Sequence, residues 1–260
     1  MWYKDKRINR PPRRIISTVP SQTELLFSLG LDQEVIGITK FCVHPQAWRK
    51  QKSRIGGTKK LNLDTIKALR PDFILANKEE NSRKDIEALA KNYPVYVTQQ
   101  ATLEEAYVEI MNIATIVAKK KEGKKLVGRI KKGFKQINPL SESITVAYFI
   151  WRKPYMTVGG DTFIHDVLTF CGFDNVFKDK QRYPMVKSLN ELKGKVDYIL
   201  LSSAPYPFSE KHVAEFSSIA PVALVDGEMF SWYGSRLLKA SNYLIDFIKY
   251  AGSQQAFIKN

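Results

Sequence analysis

Apolar positions along this chain recur with two different spacings, and the way those spacings alternate predicts strands and helices in turn. Residues 15–19, 35–39, 73–76 and 95–98 are short β-rich runs bounded by proline, glycine or polar clusters, and each is expected to be a strand. Leu25, Leu26 and Leu29 ahead of Gly30, residues 63–69 behind Asn62, and residues 82–91 carry helical spacing between them. Leu103, Tyr107, Ile110, Ile113, Ala114 and Val117 then mark one buried helical face. After a polar break at 119–125, Leu126, Ile130, Phe134 and Ile137 mark a second. Past this point the alternation restarts, with strands at 144–150, 197–201 and 222–225, a helix at 162–171 that Gly172 can end, and a C-terminal helix to about residue 250. Thr102 to Glu105, Ser21 to Glu24 and Ser188 to Glu191 each fit a capping box, in which a hydroxyl accepts from the third backbone N–H of the helix and a Glu reaches back.

Strands alternating with helices predict an α/β fold with parallel sheets covered on both faces. The restart after residue 137 divides it into two Rossmann-like lobes. The expected partition is an N-terminal α/β lobe at 1–118, whose residues 1–13 form a flexible arm, a linking helix at 119–138 and a C-terminal α/β lobe at 139–260. At about 1.5 Å per residue, some 17 helical residues span roughly 26 Å, enough to join two small domains. An internal echo supports the division. Asn62 to Ala76 and Ser188 to Ser202 share the order cap, Leu, Lys, Asp, aromatic, Ile, Leu.

Composition adds a charge to this picture. Hydrophobic residues make up 44% of the 260, enough for real cores, while 41 Lys and Arg against 26 Asp and Glu give a formal charge of +15. That balance raises nucleic acid, anionic membranes and anionic ligands as partners. The bases are spread along the chain, however, with clusters only at 4–14 and 119–135, and a solvated face is the simpler account. No groove-entering motif accompanies them, so no specific nucleic-acid binding is expected. Cys42 and Cys171 lie far apart without a Cys-x-x-Cys pattern, which suggests buried thiols and neither a disulfide framework nor a zinc module. Charges near the N-terminus interrupt the apolar stretch an export signal needs, and no apolar run approaches the roughly 18 residues of a membrane span. As written, the sequence is expected to be cytoplasmic, or periplasmic if a leader was removed.

In open parallel sheets ligands gather beyond the carboxyl ends of the strands. The loops there carry Phe41 and His44, the polar run 77–81, Trp151 and Arg152, residues 202–206 ending in Tyr206, and Glu228, Phe230, Trp232 and Tyr233. Any single ring could simply plug a sheet end, but the set suits an apolar cleft with a few polar selectors, the usual small-molecule design. Nucleophile-elbow, phosphate-loop, zinc-protease and dinucleotide motifs are absent, so hydrolysis and phosphoryl transfer have no candidate and no catalytic residue is assigned. Cys42 and His44 share a loop and could serve a soft metal or a nucleophile. Two residues are too few for a closed site, which favours a packed thiol and a histidine facing ligand or solvent. His165 and His212 are expected to be structural or surface residues, and Glu79 and Glu80 to be hydrated.

Three stretches carry a family resemblance: Pro20-Ser21-Gln22-Thr23-Glu24-Leu25 with Gly30, Asn62-Leu63-Asp64 through Leu69-Arg70-Pro71-Asp72, and Cys171-Gly172-Phe173-Asp174-Asn175-Val176-Phe177. Through them the chain resembles the substrate-binding proteins of ABC importers for vitamin B12 and iron chelates, the group whose lobes are joined by one helix. That resemblance implies two α/β lobes with a shallow ligand cleft between them, no reaction and no required cofactor. It further implies cobalamin or an iron chelate as ligand and a transporter permease as partner, or else a cytoplasmic relative that binds the same class of ligand. Phe41 matches one of two aromatic positions on the first lobe, and Thr58 stands where the other, a Trp, is expected. On the second lobe a family Trp position falls at Met229, with Trp232 three residues on. Asp64 matches an acid that docks on the transporter, and Ser231 falls near its counterpart. The ligand is then expected to meet Phe41, His44 and Thr58 on one lobe and Trp151, Arg152, Tyr206, Glu228, Phe230, Trp232 and Tyr233 on the other. Arg152 would pair with a ligand carboxylate or phosphate, and neutral His44 would ligate an open metal position. Two other classes compete with this reading, a basic nucleic-acid-binding protein and a metal-dependent enzyme on a nitrogenase-like bilobal fold with Cys42 and His44 at its cleft.

Overall fold

A computed structural model describes residue 8 and residues 10–258. Most of the expected N-terminal arm, residues 1–7 and 9, lies outside them. Where the description becomes continuous, Arg13 and Arg14 donate their backbone N–H groups to the Asp72 carboxylate at 2.8–3.2 Å. The chain then runs through β1 (Ile15–Ser17), α1 (Pro20–Ser28), β2 (Val35–Ile38), α2 (Gln46–Gln51), β3 (Ser53–Arg54), α3 (Leu63–Leu69), β4 (Phe73–Asn77), α4 (Arg83–Ala90) and β5 (Val95–Thr98). Two helices follow, α5 (Leu103–Ile116) and α6 (Lys120–Phe134), parted by Ala118 at φ +56°. The remainder comprises β6 (Ile144–Trp151), β7 (Tyr155–Thr157), α7 (Phe163–Phe170), β8 (Phe173–Asn175), β9 (Met185–Val186), β10 (Tyr198–Ser202), α8 (Val213–Phe216), β11 (Val222–Val225), α9 (Gly227–Ser231) and α10 (Leu237–Ile258).

These elements form two compact units. One takes the chain up to Gln100, then Glu104–Arg129 and Tyr233–Arg236; the other takes Ala101–Leu103, Ile130–Trp232 and the chain from Leu237 on. Among the described residues the first unit holds a five-stranded, all-parallel sheet in the order β3-β2-β1-β4-β5. Strands β1, β2, β4 and β5 are mostly apolar and almost wholly buried because both faces are covered, whereas the edge strand β3, Ser53 and Arg54, is polar. Ile16, Ile74, Ala76, Val95 and Val97 pack on Ile55, Ile66, Ile86 and Leu89 in one core, while Ile15, Phe73, Leu75 and Tyr96 alternate with them and are buried as well.

In the second unit β6, β10 and β11 are parallel, as the alternation predicts, and the unanticipated β8 pairs parallel with β6. No apolar alternation announces β7, which folds back antiparallel on the end of β6 and pairs antiparallel with the two-residue β9. Phe149, Phe208 and Phe216 with Ile199 and Leu201 make up its core on one face. Phe149 and Phe216 meet edge to face at 5.1 Å between ring centres, a favoured aromatic geometry.

Local chemistry explains several helix ends. Asn62 accepts from the Thr65 N–H at 3.0 Å and starts α3 as expected, and Gly172 at φ +88° follows α7. The capping box at Ser21 does not form. Pro20 enters the helix with φ already fixed and no N–H to satisfy, so α1 starts on Val19 without a side-chain cap. Gln22 and Thr23 serve tertiary hydrogen bonds instead. At Ser188 the hydroxyl accepts from Asn190 N–H, not from Glu191, and a four-residue 3-10 turn results. His212, expected to be a structural or a surface residue, is the former: it is buried, with its Nδ1 accepting from the Ser209 N–H at 3.0 Å. No helix among the described residues is long and apolar enough to cross a membrane.

Asn62→Ala should lower the unfolding free energy by about 1 kcal/mol in urea melts, the usual cost of a lost helix cap. Ser82→Ala should change it far less, because the Ser82 side chain makes no cap bond at the start of α4.

Candidate functional site

The strand order of the first sheet places a topological switch between β1 and β4. Their carboxyl ends therefore open a crevice that no crossover covers. Asn81 builds the floor of this crevice. Its Oδ1 accepts from the Thr18 hydroxyl and the Asn77 N–H, both at 2.8 Å, and its Nδ2 donates to Thr58 O at 3.0 Å. Asn77 in turn accepts from the N–H groups of Glu79 and Glu80 at 2.8 and 3.1 Å. One side chain thus ties the loop after β1, the loop after β4 and the turn around Thr58 to each other, and Asn81 itself is 4% exposed.

Phe41 sits on the rim of the same unit with 52% of its surface exposed. Its ring lies on the turn at Gly56 and Gly57, where a Cβ added to Gly57 would meet Phe41 Cε2 at 3.1 Å, so Phe41 and Thr58 occupy neighbouring loops. Gly56 holds that turn with φ +94°, and a Cβ there would meet Lys60 O at 2.7 Å. His44 is half-buried just ahead of α2. Cys42 is fully buried with its Sγ 3.1 and 3.2 Å from the hydroxyls of Thr23 and Thr39, and burial pushes its thiol up, which suits a packing role and not a nucleophile. Among the described residues no group of three or more His, Cys, Asp and Glu side chains is placed to hold a metal ion. Asp64 is exposed in the first turn of α3.

Tyr233 belongs to this unit rather than to its sequence neighbours. Its hydroxyl donates to Glu80 Oε1 at 2.9 Å, and three residues on, Arg236 Nε donates to Glu24 Oε2 at 2.9 Å with both side chains largely buried. Glu80, expected to be a hydrated carboxylate, is half-buried instead. Desolvation pushes its carboxyl up from 4.5 to about 7, against the opposing pull of the Tyr233 hydrogen bond and of Lys59. Tyr233 is pushed well above the ordinary tyrosine range, by burial first and then by Glu80.

In the second unit, Trp151 ends β6 with 40% of its surface exposed and meets Tyr206 edge to face at 5.7 Å. Tyr206 is backed by Phe208 at 4.7 Å and by His212 at 5.5 Å, so this pair of rings rests on a packed aromatic base. Arg152 is already engaged. Its Nε donates to Glu215 Oε2 at 2.9 Å, Tyr155 donates to the other oxygen, and interactions with Tyr206 and then Glu215 hold the guanidinium above its ordinary value. Burial alone would raise Glu215, but hydrogen bonds from Tyr155 and Arg152 bring it below the usual carboxylate range.

Asp226 caps α9 through the Glu228 N–H, and the Gly227 N–H donates to the Ser203 hydroxyl, each at 3.0 Å. A Cβ on Gly227 would lie 2.2 Å from Ser202 Oγ, so only glycine lets this turn seat. Seating it sends Phe230 inward. Phe230 is 0% exposed among Tyr148, Tyr243 and Phe247, and its assignment as a ligand contact is corrected to core. Glu228 and Trp232 remain half-buried, with the Trp232 N–H closing α9 on Glu228 O at 3.0 Å.

Comparison with known proteins adds identity to this geometry. Residues 15–218 match the model of the periplasmic binding protein family. The vitamin B12-binding protein of Vibrio campbellii is 27% identical over 218 residues, covering 82% of this chain and 78% of that protein. Among solved structures, the periplasmic vitamin B12-binding protein of Vibrio cholerae superposes with a TM-score of 0.75 at 21% identity, covering 93% of this chain and 98% of that one. The apo periplasmic heme-binding protein of Roseiflexus sp. RS-1 superposes equally, at 0.75 and 17% identity, covering 93% and 98%. Both structures share this chain's fold.

Glu80 should make stability depend on pH. Its folded-state value lies above its unfolded one, so the native state keeps a proton between about 4.5 and 7 that the unfolded chain has released. The stability it contributes is therefore present below about 4.5 and lost as the pH rises through about 7. Thermal melts of the wild type and of Glu80→Gln, which keeps an acceptor for Tyr233, should diverge between pH 5 and pH 8, with the wild type losing ground. Parallel curves would mean that Glu80 titrates as an ordinary exposed carboxylate.

Proposed function

Because the chain belongs to the periplasmic binding protein family, we propose that it is a non-catalytic receptor for a corrinoid or an iron-bearing chelate such as heme, which it hands to the permease of an ABC importer. The observation that carries this reading is the exposure of large rings at the carboxyl ends of the strands in each unit. Phe41 lies on the turn at Gly56 and Gly57 with 52% of its surface exposed, and Trp151 stands edge-on to a half-buried Tyr206. Rings held by the fold yet open to water lose little conformational freedom on binding, and this suits a flat or bulky apolar ligand. The names of relatives point to the same ligand class, since the relatives in Vibrio are vitamin B12-binding proteins and a structural neighbour is a heme-binding protein.

Each side chain then has a proposed part. In the first unit Phe41 offers a ring face to an apolar ligand, and in the second Trp151 and Trp232 are the rings available for such contact. His44 offers a ring nitrogen to an open position on the metal of the ligand. Glu80 and Tyr233 present one neutral carboxyl and one hydroxyl near neutral pH and below, which accept or donate hydrogen bonds to polar groups on the ligand without adding charge. Arg152 acts less as a free anion selector than as a support, since Glu215 already neutralises it. Asp64, exposed at the start of α3, is the docking acid for the permease. This reading puts the binding step on the outer side of the cytoplasmic membrane.

Absorption titrations with cyanocobalamin, heme and a ferric chelate test the reading, and at least one should give a saturable spectral change at micromolar protein. Covering a ring face of some 60 Å² is worth roughly 1.5 kcal/mol, so Trp151→Ala should weaken binding about tenfold. Phe230→Ala should instead cost about 3–5 kcal/mol of folding stability, as for a buried ring. His44→Ala should weaken a metal-bearing macrocycle more than its metal-free counterpart. Failure of all three ligands to bind would refute the receptor reading, and equal losses for both macrocycles would remove His44 from the metal.

A further inference from the structure

Helix α6 has an inner and an outer face of opposite character. Its inner side is seated closely in the core. Leu126, Ile130 and Phe134 are buried; a Cβ on Gly123 would lie 2.5 Å from the Ala114 Cβ, and one on Gly133 would lie 2.5 Å from Ser241 Oγ. Rotation of the helix is therefore excluded, and the outer side must stay outside. There Lys120, Lys121, Lys124, Lys125, Arg129 and Lys132 are all exposed, with Gly128 open between them. None of these six bases has an anionic partner among the described residues, and Glu122 is the one acid of the helix.

Such a face is unfavourable for the helix itself. Lys120 and Lys124, Lys121 and Lys125, and Lys125 and Arg129 are like charges four residues apart, which repel along a helix surface. Lys120 and Lys121 stand in the first turn, where the helix dipole already carries positive charge. A merely solvated face would mix signs along its length, as α4 does with Arg83 and Glu87. A row of one sign, fixed in orientation, calls for an anionic partner that meets it along its whole length.

We propose that the outer face of α6 is an electrostatic docking surface for an anionic lipid bilayer. The bases are spread over the outer half of a helix about 22 Å long, at 1.5 Å per residue, and a bilayer surface offers headgroup phosphates along that whole length. The apolar side of α6 is buried in the protein, so nothing inserts. Contact is confined to the headgroups and vanishes when salt shortens the screening length.

Sedimentation with sucrose-loaded vesicles tests this. The intact protein should bind vesicles containing 30% phosphatidylglycerol at low salt, should not bind pure phosphatidylcholine, and should be released by 0.5 M NaCl. Lys121→Glu, Lys125→Glu and Arg129→Glu together should weaken binding at least tenfold. Lys91→Glu, Lys193→Glu and Lys211→Glu, three exposed lysines elsewhere with the same change in charge, should weaken it less than threefold. Circular dichroism melts check that both variants fold, and a triple Gln variant at 121, 125 and 129 replaces the first if it does not. Equal losses in the two sets, binding to neutral vesicles, or tighter binding to duplex DNA than to anionic vesicles at the same salt would each overturn the proposal.

Discussion

The carboxyl edge of the first sheet depends on a single buried amide. Asn81 makes four hydrogen bonds through its side chain, to Thr18 twice and to Asn77 and Thr58, and Thr18, Thr58 and Asn77 belong to segments far apart in the chain. A buried amide left half-satisfied is costly, so these bonds form together or not at all, and that makes the loop positions cooperative. With Asn81 in place, Asn77 can orient the backbone of Glu79 and Glu80, and Gln22 can bridge Ala76 O and the Thr98 hydroxyl at 3.0 and 2.8 Å beneath them. Phe41 and Glu80 are presented on a rigid polar lattice, not on free loops.

The second unit reaches a similar end by different means. Its strand ends are held by rings: Phe149, Tyr155, Phe208 and Phe216 form an edge-to-face cluster under Tyr206 and Trp151. Arg152, Glu215 and Tyr155 close that cluster with an ion pair and a hydroxyl donor. A partly screened pair of this kind adds more geometry than energy. Aromatic bodies with polar tips offer apolar area to a ligand while their polar atoms stay occupied.

How much of this was legible in the sequence follows from burial. Strands β1, β4, β5, β6, β10 and β11 were readable because a parallel sheet covered on both faces demands unbroken apolar runs, and the helices between them carry caps or stripes. Helix α2 left no periodic trace. It is six residues long and owes its place to Trp48, fully buried against Phe27 at 5.4 Å, and one anchor makes no pattern. The strands β3, β7, β8 and β9 are two or three residues long and were equally silent. In the site, Trp151 and Phe41 were visible as rings at strand ends. Phe230 was indistinguishable from them, because what turns it inward is the close approach of Gly227 to Ser202, a tertiary fact. Glu80 was overlooked for a related reason, since its partner Tyr233 lies 153 residues away and an acidic pair in a loop defaults to hydration. The Ser209 to His212 cap could have been read locally, as a hydroxyl three residues ahead of a side chain able to accept from backbone.

The short segment Tyr233–Arg236 belongs to the first unit although both of its flanks belong to the second. This has a consequence for the order in which the protein is made. A chain emerging from the ribosome meets its own N-terminal sheet early, and domains ordinarily fold as they emerge. Here the buried carboxylate of Glu24 has no guanidinium, and Glu80 no hydroxyl, until residue 236 has been synthesised, by which time most of the second unit is already available. The first unit is thus begun first and completed late, and the two units are coupled in biosynthesis by four residues.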